Sequence, residues 1–493
     1  MNVSKGKFIL MLILSACLGA VLMFAGVSII SGNFLINDEQ GNLANSDQGL
    51  FSGSQSELSE QQLENMSKIA NAFSIIEQNY VEEVEENQLI EGAIQGMLES
   101  LKDPYSVYMD QETMEQFNEQ IESSFEGIGT EVSMVDGKVT IIAPIQDTPA
   151  EKAGLRPNDQ IISVDGESLE GLDVHEAVNK IRGEKGTQVV LEIQRPGAED
   201  MLEIEITRDS IPIETVFAET EEVNGKLIGI LRLTSFSEGT ASDMEEELVR
   251  LEDQGIEGLV IDVRGNPGGL LPAVEEILKN FIPKDKAYMQ IEDPTGKKTR
   301  YFSDLEEAKE YPVVTIVNEG SASASEILAA ALNEAEGYDI VGETSFGKGT
   351  VQQTVQMGDG STIKITTFNW LTPEGNSINE VGVKPTVEQD MPEYYYTNPI
   401  QIDEPLVYDQ SNNQIANIQL ILEGLGYQPE RTDGYFNEAT REAVEQFQAD
   451  HDIEVSGEVD EVTAELMQTE IIEKIRDGED DLQLEKAIEV VAQ

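Results

Sequence analysis

Two segments of this sequence combine residue types and spacings that could support covalent chemistry. The first is Gly320-Ser321-Ala322-Ser323-Ala324-Ser325-Glu326, which follows an apolar strand and opens an apolar helix. A serine at that junction meets the positive end of the helix dipole, and backbone N–H groups without helical partners are available to an oxyanion. The same segment also fits a capping box, Ser323-x-x-Glu326, and small residues at a helix start can serve packing alone. The second is Phe346-Gly347-Lys348-Gly349-Thr350, a lysine between two glycines at the mouth of a strand. Glycines permit a tight turn and close approach, so Lys348 can be held rigidly inward. Burial among uncharged neighbours would then depress its amine toward a base active near neutral pH, whereas in an open turn it would simply be solvated.

A hydrolytic serine needs a base, and the usual one is histidine. The chain has two, His175 and His451, which the element pattern assigns to separate modules. A Ser-His-Asp triad is therefore disfavoured, and a Ser-Lys dyad is a known substitute. A third segment, Arg264-Gly265-Asn266-Pro267-Gly268-Gly269-Leu270, also joins a strand to a helix, so its amides can converge on one spot. It lacks the lysine of a phosphate-binding loop, which argues against nucleotide binding.

Over residues 63–387 these motifs resemble the C-terminal processing peptidases, also called tail-specific proteases. The resemblance implies Ser323 as nucleophile, Lys348 as base and Gln352 as the residue orienting the lysine amine. It also implies an oxyanion hole from the amide of Ala324 and a glycine amide of the 264–269 loop, with Gly268 and Gly269 both open. No metal or organic cofactor is needed for such chemistry.

Substrate capture has its own motifs. Gly127-Ile128-Gly129-Thr130 resembles the carboxylate-binding loop of PDZ domains, and residues 150–159 match their mid-domain signature. Glycine-turn amides there would receive a free C-terminal carboxylate while the adjoining strand edge pairs with the last substrate residues. Val174 and Val178, one helical turn apart, would line the apolar side-chain pocket, or equally belong to the core. Arg182, in a stretch that family members share, is expected either to couple peptide capture to assembly of the dyad or to form a surface ion pair. Residues 418–448 resemble the helical peptidoglycan-binding domain, with an internal echo between 433–440 and 456–463.

The elements that must position these groups follow from pattern. A 493-residue chain exceeds one core, and the expected fold class is α+β multidomain. It begins with a cytoplasmic tip and transmembrane helix (1–32), whose span of 23 apolar or small residues at 8–30 follows Lys5 and Lys7. That flank orients everything beyond it outward, placing the catalytic domains extracytoplasmically and tying the chain to the membrane. Cys17, the single cysteine, also sits in a lipoprotein-like box, and the lack of others excludes a disulfide framework. A polar linker (33–60), a helical region (61–125), a PDZ β/α module (126–209) and an α/β serine protease core (210–390) follow. A linker (391–405), a small helical domain (406–476) and an acidic tail or loose helix (477–493) follow.

The formal charge of −64 repels nucleic acid, so that class of partner is discarded. The expected partners are proteins with exposed C-termini, peptidoglycan and a second copy of the chain, joined through helices in 63–101. The competing class is a non-catalytic envelope scaffold that tethers protein C-termini to the wall.

Overall fold

The computed structural model describes residues 59–493 except 136, 199, 200, 401 and 403. Two compact units divide it. One holds the described residues up to Phe117 together with Glu292–Tyr301 and Thr350–Asn369; the other holds Asn118–Ile291, Phe302–Gly349 and Trp370–Gln493.

In the first unit, helix Glu60–Asn79 starts at Ser59, whose hydroxyl caps the Gln62 N–H while the Gln62 side chain returns to the Ser59 N–H. A second helix, Glu86–Glu99, follows after a short break. Helix Glu60–Asn79 buries none of its residues, and Leu63, Met66, Ile75 and Ile76 stay exposed. Asp103 ends the helical stretch by accepting from the Tyr105 N–H and the Ser106 hydroxyl. Strands Val107–Met109, Thr350–Gln356 and Thr362–Leu371 then pair antiparallel.

The expected fold class needs one correction. The transmembrane helix at 8–30 lies outside the described residues, and among those described no helix is long and apolar enough to cross a membrane. A span needs about 20 consecutive apolar residues, and the 20-residue helix Glu60–Asn79 is interrupted by Glu60, Glu64, Lys68 and Glu77. What is observed is a mixed α/β multidomain chain.

The second unit includes a six-stranded sheet whose path runs Thr130–Val135, Lys138–Pro144, Gln160–Val164, Gln188–Gln194 and Leu202–Thr207, with Glu167–Ser168 paired to Gln160–Val164. Period-two alternation sends Val189, Leu191 and Ile193 inward, onto Ile141, Ile161, Ala177 and Ile181. Asp165-Gly166, both at positive φ, make the predicted tight turn. Buried Asp159 holds Arg195 through two 2.7 Å bonds, which explains the acid at the end of the mid-domain signature.

The segment expected to be the protease core builds a six-stranded sheet in sequential order: β1 (Val216–Val223), β2 (Lys226–Leu233), β3 (Gly258–Asp262), β4 (Val313–Val317), β5 (Asp339–Gly342) and β6 (Val387–Glu388). Only β1 runs antiparallel to its neighbour. Every residue of β3 and β4 is buried, as expected of parallel strands covered on both faces. Helices α1 (Thr240–Asp253), α2 (Leu271–Leu278) and α3 (Ala324–Glu336) flank the sheet, with α3 against β4 and β5.

The segment expected as an acidic tail contains helix α4 (Leu482–Val491), which lies on that sheet. Its Ala487, Ile488 and Val491 join Ile228, Ile230, Val260, Val314, Ile316 and Val341 in one buried cluster. Gly258 has no room for a side chain there, because Val491 Cγ2 would lie 2.9 Å from a Cβ.

Between β6 and α4 stands the small helical domain, with helices Asn413–Gly424, Glu438–Asp450 and Glu461–Arg476. Its internal echo has a structural cause. The Gln419 side chain accepts from the Gly434 N–H and donates to Thr440 Oγ1; Gln448 does the same with Gly457 and Thr463. In each repeat one buried glutamine satisfies a glycine turn and the helix start that follows it.

Candidate active site

Three serines occupy the start of α3, and their hydroxyls differ in what they do. Ser321 Oγ donates to the Val263 carbonyl at 2.7 Å and Ser325 Oγ to the Asn266 carbonyl at 2.9 Å, both in buried surroundings. These two fasten α3 to the 264–269 loop. Ser323, half-buried between them, has φ 53° and ψ −109°. That backbone is strained for an L-residue, by about 1–3 kcal/mol, and persists only where its surroundings hold it.

What holds it is Glu326. This fully buried carboxylate accepts four hydrogen bonds: Oε2 from the N–H groups of Ser323 and Lys348, both at 2.8 Å, and Oε1 from the Ser345 hydroxyl at 2.5 Å and the Gly347 N–H at 2.7 Å. The capping box read from sequence is thus half of a larger device. The side chain that caps α3 also collects the turn carrying Lys348.

Lys348 is fixed from the other side as well, since its carbonyl accepts from Trp370 Nε1 at 2.9 Å. The flanking glycines are required by close approach. A Cβ on Gly347, at φ 93°, would lie 3.0 Å from the N atoms of Val381 and Gly382, and one on Gly349 would lie 2.8 Å from Asn379. With the backbone immobilised on both sides, the half-buried Lys348 side chain leaves from a defined point.

The glycine loop lies directly against the serine. A Cβ on Gly268, at φ 102°, would be 2.8 Å from the Ala322 oxygen, 2.9 Å from Ser323 Cβ and 3.1 Å from the Ala324 nitrogen. Gly269, at φ 147°, presses on Phe236, whose oxygen would be 2.2 Å from an added Cβ. The structure therefore brings Ser323, Ala324 and Gly268 together. The Gly268 N–H is already given to Asn266 Oδ1 at 2.9 Å, and the Asn266 amide donates to the Leu233 carbonyl. Asn266, fully buried, was not singled out in the sequence.

Gln352 belongs to the first unit, where its amide nitrogen donates to Thr350 Oγ1 at 2.9 Å and Thr366 Oγ1 at 3.1 Å. His451 ends a helix of the small domain, stacked on Phe447, with Nδ1 2.8 Å from the Phe447 carbonyl. His175 lies on the exposed side of helix Val174–Ile181.

The residues expected to capture peptide gather at one end of the PDZ-segment sheet. The Ile128 carbonyl accepts from the Ala150 N–H, and the Gly129 carbonyl from the Ile145 N–H and the Thr148 hydroxyl. Because each peptide plane is trans, the N–H groups of Gly129 and Thr130 point the opposite way. Gly129, at φ 79°, admits no side chain, since Thr148 Cβ would be 2.4 Å from one. Strand Thr130–Val135 lies at the edge of its sheet, beside helix Val174–Ile181. On that helix Ala177 and Ile181 are buried, whereas Val174 is exposed and Val178 half-buried, outside the core cluster. Arg182 ends the helix and lies over the Phe125 ring, 5.0 Å from its centroid. Behind it, buried Arg208 fixes the helix end through the Ile181 carbonyl.

Comparison with known proteins agrees with this geometry. The peptidase family S41 model matches residues 227–389, a PDZ domain model residues 140–195 and a peptidoglycan binding domain model residues 411–467. A model of the N-terminal domain of the activating protease CtpB matches residues 16–113. Carboxy-terminal processing protease CtpB of Bacillus subtilis strain 168 is 52% identical over 423 residues, covering 86% of this chain and 88% of that protein. Carboxy-terminal processing protease CtpA of the same strain is 40% identical over 424 residues, covering 86% and 90%. With that identity sustained along most of both chains, this protein belongs to the carboxy-terminal processing proteases of peptidase family S41 and is a serine-type endopeptidase.

Proposed function

We propose that the enzyme cleaves extracytoplasmic proteins, recognised by their free C-termini, with a Ser323–Lys348 dyad. The observation that carries this reading is the shared Glu326 oxygen, which ties the backbones of the two dyad residues to one point. The PDZ loop at Gly127, Ile128, Gly129 and Thr130 receives the substrate carboxylate, the free edge of strand Thr130–Val135 pairs with the last residues, and Val174 and Val178 contact the terminal side chain. Arg182 senses that occupancy and couples it to assembly of the dyad. Lys348, in its unprotonated form, takes the Ser323 proton as the hydroxyl attacks the scissile carbonyl. The oxyanion rests on the Ala324 amide and a glycine amide of the 264–269 loop. The amine then returns the proton to the leaving nitrogen, and water hydrolyses the acyl-enzyme. The family motif gives Gln352 the role of orienting the amine.

The peptidoglycan-binding domain match supports wall attachment and an extracytoplasmic site of action. The exposed apolar residues of helix Glu60–Asn79 support pairing with a second copy, which sedimentation of the purified protein measures.

The decisive experiment incubates the protein with an unstructured substrate ending in apolar residues, and with the same substrate amidated at its C-terminus. Cleavage of the free form, weakened by amidation and abolished by Ser323→Ala and by Lys348→Ala, is the expected result. Undiminished cleavage by Lys348→Ala would rule out the dyad.

A further inference from the structure

We propose that Asp481, at the head of the C-terminal helix α4, is a positioning residue for proteolysis, holding the start of the 264–269 loop through Arg264. The inference rests on the reading of Ser323 as nucleophile with that loop on its oxyanion side.

The loop that faces Ser323 begins at Arg264, whose guanidinium is sandwiched between two carboxylates. Nε and Nη2 donate to Asp262, the last residue of β3, at 2.6–3.1 Å. Nη1 and Nη2 donate to the two oxygens of Asp481 at 2.7 and 2.8 Å, and Nη1 also reaches Gln483 Oε1 at 3.3 Å. All three charged side chains are largely buried, at 17%, 7% and 16% exposure. Burial opposes the charge on Arg264, and the two acids more than reverse that effect. A planar guanidinium held bidentately on both sides has little rotational freedom, and removing one partner leaves a buried charge poorly compensated.

The two acids do different jobs. Asp262 stands two residues from Arg264 and also accepts its N–H, so it sets the local turn. Asp481 arrives from 217 positions along the chain and connects the loop to a separate element. That element is itself fixed. Ala487, Ile488 and Val491 are buried on the sheet, Gln483 donates to Glu343 Oε2 and the Gln389 carbonyl, and Lys226 Nζ reaches the Ala492 carbonyl.

From this anchor the loop runs only four residues to Gly268. Gly265 N–H is held by Asn318 Oδ1 at 2.8 Å, and the far end is pinned by the Phe236 N–H on the Gly268 carbonyl and the Leu270 N–H on the Phe236 carbonyl. Without Asp481 the near end keeps Asp262 and Asn318 but loses its charged link to α4, so the Gly268–Ser323 approach is held less tightly from that side. Catalytic geometry tolerates little such freedom.

The test uses the whole protein with Asp481→Ala and Asp481→Asn, and Ser323→Ala as control. Asn is as good a helix N-cap as Asp, so Asp481→Asn retains the cap on Leu484 while removing the charge and the acceptor for Arg264 Nη2. Measured are kcat and KM on a peptide with a free C-terminus, the rate of covalent labelling by a fluorophosphonate, and the melting temperature. For Asp481→Ala, kcat is expected to fall about 10- to 100-fold, with KM unchanged and labelling slowed in parallel, and Asp481→Asn to fall between. Should the alanine variant fail to fold, the asparagine variant decides. A kcat within twofold of the parent in the folded variants, or a loss that disappears well below their melting temperatures, overturns the proposal. Retained cleavage by Ser323→Ala would instead remove its premise.

Discussion

Ser323 and Lys348 donate their backbone N–H groups to the same oxygen, Oε2 of Glu326, at 2.8 Å each. The residues are 25 positions apart, and neither side chain takes part in the link. Relative placement of the proposed nucleophile and base is therefore set by main chain on a buried acceptor.

Glu326→Gln tests this arrangement. An amide can offer its oxygen to Ser323 and Lys348 only by turning its NH2 toward Ser345 and Gly347, and the Ser345 oxygen already accepts from the Val383 N–H. The Gly347 N–H then faces a donor. A buried donor left unpaired costs about 1–3 kcal/mol, so we predict a lower melting temperature and a reduced kcat. A variant with parental kcat would show that the shared oxygen is dispensable.

The glycine loop can be probed by contrast. Alanine at 265 meets nothing within 4 Å, whereas alanine at 268 collides with Ser323 and the Ala322 carbonyl. Both positions have positive φ, so each substitution carries left-handed strain of about 1–2 kcal/mol. Gly268→Ala is expected to lose most of kcat and Gly265→Ala to keep most of it, as steady-state cleavage rates will report. Equal losses would mean that backbone strain, and not contact with the serine, governs the loop.

Trp370, the single tryptophan, is buried and donates to the Lys348 carbonyl. Trp370→Phe retains most of the ring volume but leaves that carbonyl without its donor, a loss of about 1–3 kcal/mol. The expected outcome is a drop in kcat with KM for the free C-terminus preserved. An altered KM with unchanged kcat would contradict it.

Glu275 provides a pH signature. Burial raises its pKa, against smaller opposing effects of the Tyr288 hydroxyl at 2.9 Å and of Lys279. A folded-state pKa above the unfolded value means that its contribution is fully present below the unfolded pKa and is lost as pH rises through the folded one. At neutral pH the buried charge therefore works against folding. Glu275→Gln retains an acceptor for Tyr288 and should melt higher than the parent at pH 7–8, the difference shrinking toward acid. A constant difference across pH would show that the carboxyl does not titrate with folding.

Much of this was legible in the sequence, and the exceptions share a cause. The serine at a strand-to-helix junction, the glycine-flanked lysine and the PDZ loop are local patterns, and local patterns survive in one dimension. Glu326 was visible only as a helix cap, because three of its four donors come from 19, 21 and 22 residues away. The last segment reads as a loose helix or tail, and its packing on the sheet was masked by acids, although Leu484, Ala487, Ile488 and Val491 carry helical spacing. Asn266 and Arg208 gave no signal, since a buried polar residue is recognised only by what surrounds it.

The placement of α4 has a consequence for biogenesis. Strands β1 to β6 are complete by residue 388, yet the apolar face over Val260 and Ile316 is covered by residues made about a hundred positions later, after the entire small domain. Chains fold roughly in order of synthesis, so a nascent enzyme remains unfinished until α4 emerges. A fragment ending before Asp481 should accordingly expose apolar surface to a dye such as ANS and succumb readily to added trypsin. In this protein, completion of the hydrolytic module waits on a helix made only after the small domain.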